Sequence, residues 1–254
     1  MLFDELKNIE LKNIQENSEK EINFYLVKIS EFSGKKRLEK IIFDYIGNPY
    51  SVGPLSIEIS NTPSISLFYL DCTVFVLNTA ALYLSGNYND FINNYSRLLY
   101  YAGKISYETR IHFTEDRLIS HHFFKLVYPS ELENCLVSTE CNLNMRENGE
   151  RLININFKKK IFFKSFDYSN EKKTVINNFI NGNELLLGIV FLRKNKANNG
   201  HIIFHEGFLS GKNIIHAGKN AGKVTLEENF TKYMENAGFD GFALFDIGDS
   251  SFEN

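Results

Sequence analysis

The chain has 254 residues, 43% of them hydrophobic and 23% charged, which is the balance of a globular protein long enough to bury its own core. The formal net charge of −3 provides no basic field that would attract DNA or RNA, so we expect no nucleic-acid partner. Three cysteines, an odd and sparse number, argue against a disulfide framework and leave at least one thiol free.

Helical patterns fill the first part of the chain. Charged and apolar residues at helical spacing predict an amphipathic helix over residues 2–16. A second helix is predicted over residues 36–45, because Gly47-Asn48-Pro49 is a strong stop signal. The nearly continuous apolar run at residues 67–84 predicts a buried helix. Apolar positions three and four apart predict another helix over residues 88–101.

The later part of the chain has a different pattern. Residues 102–150 are mixed and polar, and they predict no definite element. After them come short apolar runs separated by Gly, Asn and Lys, which is typical of an antiparallel sheet. Strands are predicted at residues 153–157, 161–166, 185–193, 201–208, 213–217 and 241–247. Helices followed by strands predict an α+β fold.

Cys72 is the first residue with a chemical signal. It directly follows Asp71 near the predicted start of the apolar helix. The positive end of a helix dipole and the free backbone N–H groups favour thiolate, which is the nucleophilic form of cysteine. A buried structural cysteine in an apolar run gives the same pattern, so this alternative stays open.

Two of the six histidines stand on predicted neighbouring strands. His201 opens one apolar strand, His216 ends the next, and a turn at residues 207–212 separates them. In such a hairpin one imidazole could face a thiol while the other orients it, as in nucleophilic acyl transfer. Two ordinary strand histidines are the alternative interpretation.

Metal catalysis is not expected. His201 and His205 share one face of a predicted strand, but Glu206 points to the other face. The helical HExxH spacing of zinc enzymes is absent as well, so we expect neither a metal nor another cofactor.

Six segments match family motifs in order. They are residues 45–53 (YIGNPYSVG), 70–76 (LDCTVFV), 110–114 (RIHFT), 182–185 (GNEL), 200–204 (GHIIF) and 214–217 (IIHA). They resemble the loop F-L-G-x-P-Y-x-x-G, the nucleophile motif D-C-x-x-[FY]-V, the segment R-N-H-F-T, a G-D turn, H-V-G-[FI] and [FL]-x-H-A. These motifs belong to the NlpC-type papain-like cell-wall hydrolases, and R-N-H-F-T to their N-acetylmuramoyl-L-alanine amidase-like branch.

The resemblance implies a papain-like fold in which an N-terminal helical half packs on a C-terminal antiparallel sheet. It implies an N-terminal helical extension over residues 1–35 and a hydrolase domain over residues 36–254. The implied substrate is a peptidoglycan fragment, cut at the amide between N-acetylmuramic acid and L-alanine or within the stem peptide. The implied catalytic residues are Cys72 as nucleophile, His201 as base and His216 as orienter; the implied substrate-binding residues are Tyr50, Asp71 and His112.

Two departures from the family pattern leave other functions open. Leu77 stands where the branch usually has Glu, and Ile203 stands in place of the glycine of H-V-G. One alternative is a papain-like acyltransferase or effector that acts on another amide or ester. A second is an inactive binding module that docks through residues 2–16.

The cellular compartment is not fixed by the sequence. The charged start lacks the apolar core of a signal peptide, and no apolar run has the length of a membrane span. Cytoplasmic action, export by a leaderless route and action in the periplasm all agree with this pattern.

Overall fold

The fold is α+β with an antiparallel sheet, as the sequence predicts. The computed structural model describes residues 14–53, 63 and 65–248, so most of the predicted helix at residues 2–16 lies outside the described residues. The chain forms two compact units. The helical unit comprises Met1–Ile105 and Ala217–Thr225, and the sheet unit comprises Ser106–His216 and Leu226–Asn254. The division after residue 35 stays a prediction.

The helical unit contains four α-helices within the described residues: α1 (Ile14–Ile29), α2 (Gly34–Asp44), α3 (Cys72–Tyr83) and α4 (Tyr88–Leu99). The helices predicted at residues 36–45, 67–84 and 88–101 are confirmed. Every residue of α3 from Val74 to Leu82 is buried, which explains why this helix has no polar face. In the described part of the chain, no helix has both the length and the apolarity needed to cross a membrane.

The sheet unit contains most of the strands. Its α-helices and strands are α5 (Thr114–Ser120), β1 (Phe124–Val127), β2 (Leu136–Leu143), β3 (Lys159–Asp167), α6 (Asn170–Gly182), β4 (Leu186–Leu192), β5 (Ile203–Ser210), α7 (Phe230–Ala237) and β8 (Gly241–Ile247), while β6 (Asn213–Gly218) and β7 (Lys223–Glu227) have residues in both units. The strand order is β2-β3-β8-β4-β5-β6-β7, and β1 pairs with β8. β4 is buried along its whole length, as expected of a central strand.

An aromatic-rich core lies within the sheet unit. Its fully buried members include Phe166, Phe191, Phe242, Leu209 and Ile214. Phe166 contacts Phe242 with ring centroids 5.1 Å apart, and Phe230 meets Phe242 edge-on at 5.2 Å. Such contacts favour one packing arrangement over others, so the strands that carry them have a fixed register.

The strand predicted at residues 153–157 is wrong. Its backbone bonds instead with a buried side chain: Ile153 N–H donates to Asn144 Oδ1 at 2.8 Å, and Asn144 Nδ2 donates to the Phe157 carbonyl at 2.8 Å. One asparagine thus satisfies groups that a strand would pair through a ladder.

The order of helices first and strands later is also too simple. Helices α5, α6 and α7 and strands β1, β2 and β7 all lie in stretches without a prediction. Several of these elements are amphipathic and short, so tertiary packing stabilises them more than local propensity does.

Candidate functional site

Cys72 is the first residue of α3, and its half-buried thiol is not part of a disulfide. Asp71 has extended backbone geometry and caps the helix, because its Oδ1 accepts a hydrogen bond from the Val74 N–H at 2.8 Å. This cap fixes where the helix begins and therefore places Cys72 at its N-terminus. Asp71 thus has a structural task here, and its contact with substrate stays a prediction.

Tyr50 lies beside these two residues. Ser51 N–H donates to the Leu70 carbonyl at 3.1 Å, and Leu70 N–H donates to the Pro49 carbonyl at 3.1 Å. These bonds hold the loop against the segment that enters α3. Burial raises the pKa of Tyr50, and the negative charges of Cys72 and Asp71 add to the shift. The helical unit therefore brings three predicted site residues together.

His112 is held within its own loop. Its Nε2–H donates to the Tyr107 carbonyl at 2.8 Å, and the two rings lie edge to face with centroids 4.8 Å apart. Burial lowers the pKa of His112; the hydrogen bond to Tyr107 opposes this shift, and the charge of Arg110 adds to it. The hydrogen bond of His112 stabilises the conformation of this loop. The contact of His112 with substrate stays a prediction.

The imidazole that contacts His216 belongs to His205. Nε2 of His205 lies 2.7 Å from Nδ1 of His216, and the rings are nearly perpendicular with centroids 4.7 Å apart. Both side chains come from the β5–β6 hairpin, in which Phe208 pairs with Ile215 and Leu209 with Ile214. The sequence predicted His201 as the partner of His216; the structure has His205 at this contact, and the catalytic roles of His201 and His216 stay predictions.

Gly207 explains how the two rings approach each other. A Cβ atom at this position would lie 2.5 Å from the Ile215 carbonyl oxygen and 2.9 Å from the His216 Cβ. Only glycine lets β6 come this close to β5. The segment His205-Glu206-Gly207-Phe208 therefore fits the pattern H-V-G-[FI] with its glycine, whereas residues 201–204 lack that glycine. This glycine is the signal that could have identified His205 from the sequence.

The surroundings of the histidine pair select one tautomer. Glu227 Oε1 lies 3.9 Å from Nε2 of His216, so its charge favours a proton on that nitrogen. With the proton on that nitrogen, Nδ1 of His216 can accept a hydrogen bond from the His205 Nε2–H. Consequently Nδ1 of His205 carries a lone pair. Burial, with a contribution from His216, lowers the pKa of His205 to about 3, so this ring is neutral at physiological pH.

His201 lies before β5, which begins at Ile203 and not at the predicted residue 201. Its ring packs on Phe204 with centroids 4.4 Å apart. Burial lowers the pKa of His201, and a hydrogen bond with the Asn199 backbone opposes this shift. The ring therefore contacts its own turn and the next residues of the chain.

The other thiols differ from Cys72. Cys135 and Cys141 are buried, and burial raises the pKa of both, that of Cys141 to about 12 with a further contribution from Glu115. Thiols of this kind are poor nucleophiles. Among the described residues, no group of three or more His, Cys, Asp or Glu side chains could hold a metal ion.

Residues 40–241 match the family model described as AmiA-like, N-acetylmuramoyl-L-alanine amidase-like. No curated protein sequence gives a significant match.

Solved structures share the fold at low sequence identity. A protein from Legionella pneumophila with the family model DUF1460 has a TM-score of 0.75 at 16% identity, covering 92% of this chain and 95% of its own. An N-acetylmuramoyl-L-alanine amidase from Bacteroides uniformis has a TM-score of 0.57 at 15% identity, covering 84% and 99%. A putative xylanase from Bacteroides fragilis has a TM-score of 0.56 at 17% identity, covering 82% and 100%. These neighbours have different names, so the fold alone does not select the reaction.

Proposed function

The chain belongs to the N-acetylmuramoyl-L-alanine amidase-like family, and from this we propose that it is a cysteine amidohydrolase of bacterial peptidoglycan. The bond cut is the amide between N-acetylmuramic acid and L-alanine, or an amide of the stem peptide. We assign the fold to the NlpC-type papain-like class. The observation that carries the proposal is the 2.7 Å contact between His205 and His216, since a base with its orienter is what a thiol nucleophile requires.

In the proposed mechanism Cys72 is the nucleophile and His205 is the base. Nδ1 of His205 takes the proton from the thiol, and the thiolate attacks the amide carbonyl carbon. Backbone N–H groups at the start of α3, including that of Cys72, stabilise the oxyanion. When the C–N bond breaks, the imidazolium protonates the leaving amine. A water molecule, activated by His205, then hydrolyses the thioester to a carboxylic acid and returns the thiol.

His216 is the proposed orienter. Its Nδ1 holds the Nε2–H of His205, which leaves the opposite nitrogen of His205 available as the base. Burial lowers the pKa of His205 with a contribution from His216, and a thiolate formed by Cys72 would raise that pKa by ion pairing. We place Tyr50, Asp71 and His112 at the substrate, as the family resemblance implies.

The direct test is mass spectrometry of products from a panel of defined muropeptides. We expect the wild-type protein to release a stem peptide with a free amino terminus, or a shortened stem. Cys72→Ala abolishes release because no other side chain replaces the thiol. Cys141→Ala is the matched control, since this buried thiol is assigned no role, and we expect turnover to persist.

Two results would contradict the proposal. One is full activity of Cys72→Ala. The other is a wild-type protein that leaves every muropeptide intact but transfers or removes an acyl group on a lipid or protein, which would support an acyltransferase. An inactive binding module needs no reactive thiol, so labelling of Cys72 by a thiol electrophile separates this alternative from an acyltransferase.

A further inference from the structure

Two buried carboxylates connect helix α5 with strand β5. Glu115, only 1% exposed, accepts hydrogen bonds from the backbone N–H groups of Ile202 at 2.6 Å and Ile203 at 2.7 Å. It therefore holds the backbone where β5 begins. Burial raises the pKa of Glu115, while these N–H groups oppose the shift by stabilising the carboxylate.

The second carboxylate, Glu206, is also 1% exposed. It accepts a hydrogen bond from Thr114 Oγ1 at 3.0 Å and forms a buried ion pair with Arg117. Glu115 and Glu206 thus fix β5 on both sides of His205, at residues 202–203 and at residue 206. Neighbouring residues of a strand point to opposite faces, so the ion pair fixes the backbone of His205 without contacting its ring.

Helix α5 is itself anchored to a second strand. Asp116 Oδ1 accepts hydrogen bonds from Lys159 Nζ of β3 at 2.7 Å and from Ser120 Oγ at 3.0 Å. An element attached to two strands can transmit a fixed position from one to the other. Because α5 is bonded to β3, it can hold β5 in a position that the hydrogen bonds between neighbouring strands alone would not fix.

Stability alone is a weak reason for this arrangement. Removing two charges from water costs several kcal/mol per ion, and well-packed apolar residues often replace a buried ion pair without loss. A buried, directional pair beside a histidine contributes something that apolar packing does not, namely a defined backbone geometry at that position.

We propose that Glu115 and Arg117 are positioning residues: through the backbone of β5 they set the orientation of the His205 ring and hence its hydrogen bond to His216. The effect on catalysis rests on the proposed function, whereas the effect on the histidine pair does not. The segment that contains His112 would then serve the histidine hairpin, in addition to any contact with substrate.

The test compares Glu115→Leu with Glu115→Gln in the full chain. Glutamine keeps a carbonyl oxygen that can accept both N–H groups, whereas leucine keeps the volume and removes the acceptor. The readout is the ¹⁵N NMR signature of the His205 and His216 rings, which reports the tautomer of each. We expect fixed tautomers in the wild type and in Glu115→Gln, and averaged tautomers in Glu115→Leu.

In muropeptide assays we expect kcat of Glu115→Leu to fall about 10- to 100-fold with little change in KM, because a small misplacement of a reacting group can lower the rate about a hundredfold. Lys173→Met is the matched control, because it breaks an ion pair with Glu235 that involves neither α5 nor β5. It should leave the histidine tautomers unchanged and alter the thermal midpoint little. A merely structural role of Glu115 would lower the thermal midpoint of Glu115→Leu without averaging its histidine tautomers.

Thr114→Val keeps the inference testable if Glu115→Leu does not fold, since it removes only one hydrogen bond to Glu206. We then expect partial tautomer averaging. Unchanged tautomers in every folded variant of Glu115 and Thr114 would overturn the inference. If the wild-type protein cleaves no muropeptide, the proposed function fails, but the NMR comparison still decides this inference.

Discussion

The start of helix α3 and the β5–β6 hairpin each hold part of the proposed chemistry, but contacts of different range specify them. Asp71 caps α3 through a residue three positions along the chain, so Cys72 is placed by its immediate neighbours. His205 meets a partner 11 residues away, and its neighbour Glu206 pairs with Arg117, 89 residues earlier. Short-range contacts can be predicted from residue types, whereas the hairpin depends on strand register.

Register is also the reason why the sequence pattern favours His201. His201 and His205 are four residues apart, an even number, so on an ideal strand both point to the same face. Alternation of apolar and polar residues therefore cannot distinguish them. Only the close approach of β6 at Gly207 separates the two positions, because it places His216 against one of them.

The largest expected effect tests that distinction directly. His205→Gln should lower kcat/KM about a thousandfold, within the range of a lost general base, because glutamine cannot take the thiol proton. His201→Gln is the matched control and should retain activity within a few fold. The assay is the initial rate on the best muropeptide. The reverse ranking of the two variants would return the role of base to His201.

A smaller effect is expected when the backbone of the hairpin is changed. Gly207→Val would place atoms within 3 Å of Ile215 and His216, so β6 must move away. We expect the unfolding free energy to fall by about 1–3 kcal/mol, as for other overpacked sites, and kcat/KM to fall about a hundredfold from misplacement of the rings.

Gly182→Ala is the control for this substitution, because a Cβ there meets no atom within 4 Å. It should leave activity unchanged and alter stability little. Wild-type activity of Gly207→Val would show that the pairing of His205 with His216 does not need this close approach.

Much of the helical unit could be predicted because its signals are local. The stop at Gly47-Asn48-Pro49 and the apolar run after Asp71 are both contiguous in sequence. The element α5 could not be predicted in this way. Its charged residues Glu115, Asp116 and Arg117 form a pattern typical of an exposed helix, yet all three are buried. Their partners are 43 to 89 residues away, so no local pattern contains the information.

Acid should act on the hairpin more than on the start of α3. The pKa of His205 is about 3 in the folded chain and near 6.5 when exposed, so below pH 6.5 the unfolded state binds the extra proton. The contribution of His205 to the free energy of unfolding is therefore fully present above pH 6.5. It is lost as pH falls toward 3, by up to about 1.4 kcal/mol per pH unit.

Urea unfolding of wild-type and His205→Gln proteins between pH 7 and pH 4.5 measures this pH-dependent contribution of His205 to the free energy of unfolding. We expect a smaller decline in the variant, and Cys72→Ala should decline as the wild type does. Glu115, whose raised pKa acts with the opposite sign, is common to all three proteins and cancels in the difference. Equal slopes in all three would show that His205 titrates normally.

The smallest expected effect concerns Asp71, which has both an observed cap and a predicted contact with substrate. Asp71→Ala should lower the unfolding free energy by about 1 kcal/mol, and Asn87→Ala, which removes the cap of α4, should do the same without changing KM. Asp71→Asn keeps the cap, because asparagine caps about as well, but it loses the charge. A higher KM in Asp71→Asn at unchanged stability would therefore report the substrate contact alone. An unchanged KM would show that Asp71 acts only as the helix cap. The role of Asp71 at the start of α3 would then depend only on a contact between near neighbours in the chain, in contrast to the hairpin.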